Sequence, residues 1–169
     1  LCCMIIPEWQ RQIIFETKRR LFEEGVPRIK KCLGLLSFEE IWYRENENCN
    51  SVGNLVLHLC GNVRQWIIVG FGRAADTRDR DREFELSSSI STTQLIELLT
   101  LLEKEVTTVL NSLTTEELIA THPAQVYRET GIAILIHVIE HFSYHVGQIT
   151  HITKAKKDID TNYYPEKLS

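Results

Sequence analysis

The feature that most constrains the fold is a long amphipathic stretch, residues 130–154, whose apolar residues recur with helical periodicity. It carries three histidines at successive steps of four residues: His137, His141 and His145. On an α-helix, such a step moves the side chain by about 40° around the axis and about 6 Å along it. Neighbouring members of this ladder can therefore bind one small ion from the same helical face.

The position of each histidine relative to the apolar face distinguishes the members of the ladder. With His137 at zero and about 100° per residue, the apolar side chains span roughly 60° to 260°. His145, at about 80°, lies inside this sector, and His141, at about 40°, lies at its border. The pair that faces the core of a bundle is therefore predicted to be His141 and His145, with His137 nearer to solvent. Ordinary hydrogen-bonded histidines at the edge of a core are the alternative interpretation.

A second amphipathic helix is predicted over residues 52–71, and it places another histidine in the same way. His58 lies about 60° from the apolar Leu55 on the helical wheel, again at the margin of the apolar sector. Two helices that pack through their apolar faces would bring this imidazole to the pair on the last helix. The sequence therefore predicts a three-histidine metal site formed by His58, His141 and His145.

Composition indicates a soluble globular protein with a single domain over residues 1–169. Hydrophobic residues make up 43% of the chain, charged residues 25%, and the net charge is −4. The negative charge gives no indication of a nucleic-acid or anionic-membrane partner, and no apolar run is long enough to span a bilayer. The five cysteines are odd in number and lack C-x-x-C spacing, which favours a reducing cytoplasm over a disulfide framework.

Other segments of the chain have weaker signals. Residues 1–7 are too short for a signal peptide and lack a basic leading segment, and Met4 is a candidate initiator. A first helix is predicted over residues 7–35, with a kink or restart where Gly25 and Pro27 interrupt its pattern. Residues 37–40 resemble a capping box. The remaining predictions are an N-cap at Ser51, caps within residues 87–93, a third helix over residues 94–113, a helical turn from residue 114, and a polar tail in which residues 163–165 dock on the body.

Residues 73–83 alternate charges of both signs and have no apolar period. We interpret this segment as a solvated crossover loop and prefer that to a binding role. It is long enough to connect helices that are not antiparallel neighbours.

Three neutral imidazoles leave at least one coordination position for water or substrate, which is typical of catalytic rather than structural zinc. A bound ion can lower the pKa of water or polarise a thiol. The ladder is not the H-E-x-x-H signature, because Val138 and Phe142 stand where that motif needs its glutamate. Gln148 either orients an imidazole or a substrate, or is a plain polar residue, and Cys60 is interpreted as a small buried hydrophobe.

Two motifs together resemble the DinB/YfiT-like superfamily: Asn54-Leu-Val-Leu-His-Leu59 and His141-Phe-Ser-Tyr-His-Val-Gly-Gln148. The resemblance covers residues 22–154 and implies an all-α four-helix bundle of up-down-down-up topology, with a long crossover loop after the second helix. It further implies a homodimer and a divalent ion, nickel or zinc, with the same three histidines as ligands. Val146 stands where many relatives carry arginine before Gly-Gln.

The function that this resemblance implies is a metal-dependent enzyme of the cytoplasm. Its ion would activate a thiol or water, in a thiol-dependent transferase or a hydrolase whose substrate is a small molecule, with a low-molecular-weight thiol as a candidate partner. No catalytic residue beyond the metal ligands is assigned. The alternative is a non-catalytic helical dimer with a structural or vestigial metal site.

Overall fold

The computed structural model describes residues 6–85 and 90–164, and most of them are helical. Its elements are α1 (Glu8–Lys18), a first π-helical segment (Arg19–Gly25), α2 (Val26–Leu35), α3 (Phe38–Trp42), α4 (Val52–Val63), a second π-helical segment (Arg64–Val69), α5 (Arg80–Phe84), α6 (Thr92–Ser112), α7 (Thr115–Ile119), the strands β1 (Thr121–Ala124) and β2 (Tyr127–Thr130), and α8 (Gly131–Lys157). The predictions for Met4, for caps at residues 87–89 and for Pro165 fall outside the described residues.

Helix α8 lies at the centre of the apolar core. It packs against α2, α4 and the first π-helical segment. Its buried apolar side chains recur at helical spacing, as the sequence predicts: Ile134, Leu135, Val138, Phe142, Val146 and Ile149. A mostly helical fold is therefore confirmed, with α8 as the element that most others contact.

The two helices that carry the predicted site begin at well-defined caps. The Ser51 hydroxyl accepts a hydrogen bond from the Asn54 backbone N–H at 3.1 Å, and Asn54 Oδ1 accepts from the Ser51 backbone N–H at 3.3 Å. This reciprocal capping box fixes the start of α4 and confirms the N-cap predicted at Ser51. Thr130 is the N-cap of α8, and its hydroxyl accepts one hydrogen bond from the Ala133 backbone N–H.

The restart predicted at Gly25 and Pro27 is present, since a separate α-helix, α2, begins at Val26. The chain stays helical and changes from a π-helical to an α-helical pattern at Val26. This change places Pro27 in the first turn of α2, the part of a helix where proline is best tolerated. Glycine at position 25 lets the first helical stretch pack closely against α8, because a Cβ there would lie 2.6 Å from Cε1 of Phe142.

A short antiparallel hairpin adds a small sheet to the helices predicted from the sequence. Strands β1 and β2 pair in register from Thr121 opposite Thr130 to Ala124 opposite Tyr127. Gln125 turns the chain with a positive φ of 54°. The predicted crossover is also not irregular throughout, since α5 lies within it. In the described ranges, no helix has the length and apolar character required to cross a membrane.

Candidate metal centre

Three imidazoles from two helices meet at one point. His58 projects from α4, and His141 and His145 project from successive turns of α8. The Nε2 atom of His141 lies 3.2 Å from Nε2 of His58 and 3.2 Å from Nε2 of His145. One ligand atom from each residue lies within 4.8 Å of the other two, so the three form a group that could hold a metal ion. The predicted convergence of these side chains is therefore present, while metal binding itself stays a prediction.

The spacing of the nitrogens fits a small divalent ion. Two nitrogens at about 2.0–2.1 Å from a tetrahedral zinc lie about 3.3 Å from each other. His58 is only 6% exposed, whereas His141 and His145 are partly exposed, so the cluster opens toward solvent on the α8 side. This combination leaves a buried ligand on one side and access for a further group on the other.

Glu83 determines which nitrogen of His58 carries the proton. Its Oε2 lies 3.0 Å from His58 Nδ1, and Arg78 forms two hydrogen bonds to the same carboxylate. Burial raises the pKa of Glu83, but hydrogen bonds from Arg78 and His58 outweigh it and hold that pKa below its usual value. Arg78 Nη2 also lies 3.2 Å from His58 Nδ1, but it makes its shorter contact, 2.7 Å, with Glu83 Oε2. Because the ionised carboxylate can only accept and is the nearer partner of the ring, Nδ1 of the neutral imidazole donates to it and Nε2 keeps its lone pair.

Gln148 has the same effect on the second ligand. Its side-chain Oε1 lies 2.7 Å from Nδ1 of His145, and an amide oxygen can only accept. His145 therefore carries its proton on Nδ1, and its Nε2 is free to bind a cation. Of the interpretations of Gln148, the one in which it orients an imidazole agrees with this contact.

His141 completes the arrangement. Burial, followed by the neighbouring His145 and His58, lowers the pKa of His141 to about 3. Within the described residues its buried Nδ1 has no hydrogen-bond partner. With the Nε2 atoms of His58 and His145 both acting as acceptors, a proton on His141 Nε2 could satisfy only one of them. A shared cation satisfies all three, so the donor set fits a divalent metal.

The depressed pKa of His141 predicts a pH-dependent stability of the metal-free protein. Below about pH 6.5 the unfolded chain binds a proton at this imidazole, whereas the folded chain does not until about pH 3. As pH decreases through this window, His141 should therefore lower stability by less than about 1.4 kcal/mol per pH unit, because the ring keeps some contact with water. The pKa values of His137 and His145 are also lowered, so these groups add to the total slope. Urea unfolding in chelator at pH 6.5 and pH 5 measures the slope. His141→Gln should reduce it, and an unchanged slope in that variant would contradict the assignment.

Two other residues considered from the sequence lie outside the cluster. His137 stacks on Trp66 with ring centroids 3.8 Å apart, and its centroid is 5.7 Å from that of His141. It therefore supports the wall of the site as a neighbour. Cys60 keeps some exposed surface, yet burial and the nearby Glu83 raise the pKa of its thiol to about 12. A neutral thiol at pH 7 agrees with the interpretation of Cys60 as a small hydrophobe.

The interpretation of residues 73–83 as a solvated loop was wrong for Arg78 and Glu83. Their side chains are 6% and 9% exposed and pair with each other at 2.6 Å. Their neighbours Asp79 and Arg82 form an exposed pair. The sequence of the segment therefore resembles that of a solvated loop and does not distinguish the two buried charges. The only available signal was the presence of both a carboxylate and a guanidinium in a segment long enough to fold back over α4.

Comparisons with known proteins agree with this architecture. The model of a family described as "Protein of unknown function (DUF1572)" matches residues 11–164. A DinB-like protein from Bacillus cereus has a similar structure, with a TM-score of 0.64 and 15% identity over 80% of this chain and 87% of the other. The DinB-like protein YjoA from Bacillus subtilis gives a TM-score of 0.63 and 17% identity over 88% and 94%. No curated protein matches the sequence.

Proposed function

The chain belongs to the DUF1572 family, which is DinB-like and of unknown function, and on that premise we propose that it is a metal-dependent enzyme. His58, His141 and His145 would hold one divalent ion, zinc or nickel. The observation that carries the proposal is the convergence of three Nε2 atoms, two of which keep free lone pairs because Glu83 and Gln148 accept from the opposite ring nitrogens.

A cavity of about 540 Å³ beside α8 offers a place for a small-molecule substrate. Leu55, Tyr144 and Gln148 line it. Gln148 also bonds to His145, and the Tyr144 ring packs edge-on against the same imidazole at 5.1 Å. None of the three histidines lines the cavity, so Tyr144 and Gln148 are its connection to His145.

The lining of this cavity indicates how a substrate would be held. In the described part of the chain it includes no Lys, Arg, Asp or Glu, and its polar groups are amides, a phenol, a thiol and an imidazole. Such groups orient a ligand through hydrogen bonds and aromatic contacts rather than through ion pairs. Gln148 belongs to both the cavity and the metal site, so its amide links substrate binding to the orientation of His145.

When bound, a divalent ion at three imidazoles supplies a Lewis acid with an open coordination position, suited to activating a thiol or water. The chain itself contributes oriented ligands: His58 is held by Glu83, and His145 by Gln148. His58 is the most buried of the three, which fixes the inner side of the site. A thiol-dependent transferase or a hydrolase is the reaction class that we propose.

Metal content and turnover together test this function. The protein, purified without an affinity tag, is expected to contain about one equivalent of zinc or nickel by mass spectrometry after growth with either metal. Turnover of small electrophiles is then compared with and without added thiol. Dependence on thiol supports a transferase, and hydrolysis without thiol supports a hydrolase. A protein that takes up no metal under any supply would contradict the proposal and favour a purely structural helical protein.

We also propose the finer features that the resemblance implies. These are an up-down-down-up order of the four long helical stretches, a homodimer and a cytoplasmic location. The buried core of α8 and its contacts with α2 and α4 support the bundle. Light scattering over a range of concentrations tests the dimer, and a monomer at every concentration would exclude it.

A further inference from the structure

We propose that residues 78–83 form a positioning element that fixes the imidazole of His58 through the carboxylate of Glu83. The inference depends on the proposed metal site and adds a role for two residues that are not metal ligands. Glu83 lies 25 positions along the chain from His58, so the contact is made by the fold and not by local sequence.

The first argument is the geometry of the ion pair. Arg78 Nε donates to Glu83 Oε1 at 2.6 Å, and Arg78 Nη2 donates to Oε2 at 2.7 Å. Oε2 also accepts from His58 Nδ1 at 3.0 Å. Desolvation offsets most of the attraction within a buried ion pair, so stability alone explains this arrangement poorly. Orientation of an imidazole explains it directly. The two hydrogen bonds from Arg78 keep the Glu83 carboxylate from rotating away from Nδ1 of His58.

The second argument is that α4 holds the backbone of the same segment. Asn54 lies one turn before His58, and its Nδ2 donates to the carbonyl oxygens of Glu83 at 3.0 Å and Glu85 at 2.8 Å. Asn54 is fully buried and also forms the capping box of α4. One helix thus fixes both the main chain of the positioning element and the histidine that it orients.

The third argument is the space made for the carboxylate. Gly61 lies almost one turn after His58, and a Cβ there would lie 1.9 Å from Glu83 Oε1. Any larger residue would push the carboxylate away from its present position. Glycine in a helix costs about 1 kcal/mol relative to alanine. Gly61 therefore lowers the stability of α4 at the position where the helix contacts Glu83.

Together these contacts hold the proton of His58 on Nδ1 and direct Nε2 toward His141 and His145. Carboxylates that accept from a metal-bound histidine typically change metal affinity by about 10–100-fold when they are removed. We expect that size of effect from Glu83, although it does not touch the metal position.

The test uses Co²⁺ as a probe of the full-length protein, with affinity from chelator competition and geometry from the visible spectrum. Glu83→Ala should weaken Co²⁺ binding by about 10–100-fold and shift the absorption bands. Glu83→Gln keeps an acceptor for Nδ1 and should restore part of the affinity. Glu105→Ala, which breaks the exposed pair with Arg64, is the matched control and should bind as the unmodified protein does.

Gly61→Ala provides a second variant that leaves the charges and hydrogen-bonding groups in place. Alanine is the better helix former, so the variant should fold, and it should still weaken Co²⁺ binding by displacing Glu83. Gly34→Ala is its control, because a Cβ there meets nothing within 4 Å. Affinities of Glu83→Ala and Gly61→Ala within twofold of the unmodified protein would overturn the proposal.

Nuclear magnetic resonance of the metal-free protein separates this proposal from the proposed function. The ¹⁵N shifts of His58 should report a proton on Nδ1, and Glu83→Ala should move the ring toward the Nε2–H tautomer. If the unmodified protein binds no metal but this change occurs, the proposed function fails and the positioning role stands. If the tautomer is the same in both proteins, the positioning role is wrong whatever the metal content.

Discussion

His58→Ala and His145→Ala are each expected to lower the affinity for zinc or nickel by about 10²–10³-fold. Structural zinc sites with four protein ligands bind with about 10–16 kcal/mol, or about 2.5–4 kcal/mol per ligand. Loss of one imidazole should therefore cost about two to three orders of magnitude in the dissociation constant. Competition with a chromophoric chelator at fixed pH measures it, and any turnover should be lost in parallel.

A suitable control removes an imidazole that is partly buried elsewhere. His122 bonds through Nε2 to the Glu117 carbonyl oxygen and packs against Phe71, away from the cluster. His122→Ala should leave metal affinity unchanged. Equal affinities in His58→Ala, His145→Ala and His122→Ala would show that metal binds elsewhere on the protein, and would remove the basis for the proposed enzyme.

The positions of the three histidines could be predicted because helical periodicity is a local property of the sequence. The wheel placed His141 and His145 at the edge of one apolar face and His58 at the edge of another. Burial of these faces against each other is sufficient to bring the imidazoles together. What the wheel could not supply was the protonation of each ring, since this depends on Glu83 and Gln148 as acceptors.

Arg78 and Glu83 could not be predicted because their environment is set by tertiary contacts. Their segment has the composition of a solvent-exposed loop, and burial of an ion pair leaves no periodic pattern. Asn54 bonds to the backbone of this segment, and Gly61 leaves space for the Glu83 carboxylate. From local sequence alone, Asn54 indicates only a helix cap and Gly61 only a residue of low helix propensity. Each has a second role that appears only when α4 and residues 78–85 are packed together.

In the first helix, by contrast, local rules located the change of structure. Gly25 and Pro27 predicted a kink or restart, and the α-helical pattern restarts at Val26 after a π-helical segment, while the backbone stays helical through the junction. The glycine is used for contact with Phe142, a fully buried residue next to His141. The stability of the metal-free protein should therefore depend on the packing of Phe142 against Gly25.

Phe142→Ala is expected to destabilise the metal-free protein by about 3–5 kcal/mol, because the ring is 1% exposed and its removal leaves a cavity. In a protein of this size the melting temperature should fall by about 6–20 °C. Gly25→Ala alone should cost about 1–3 kcal/mol, since its Cβ would lie 2.6 Å from the Phe142 ring. Thermal unfolding in chelator measures both effects without a contribution from metal.

The double variant should be more stable than the sum of the single changes predicts. Without the ring, the new methyl group at position 25 enters the space that Phe142 occupied, so the clash that destabilises the single Gly25→Ala variant is removed. A double-mutant cycle should therefore give a favourable coupling of about 1–3 kcal/mol between Gly25 and Phe142. If the free-energy changes of the two single variants simply add, Phe142 on α8 does not contact the first helical stretch at Gly25. The placement of His141 beside that contact would then lose its support. Pairing Phe142→Ala with Gly34→Ala, where a Cβ meets nothing within 4 Å, is the control and should show no coupling.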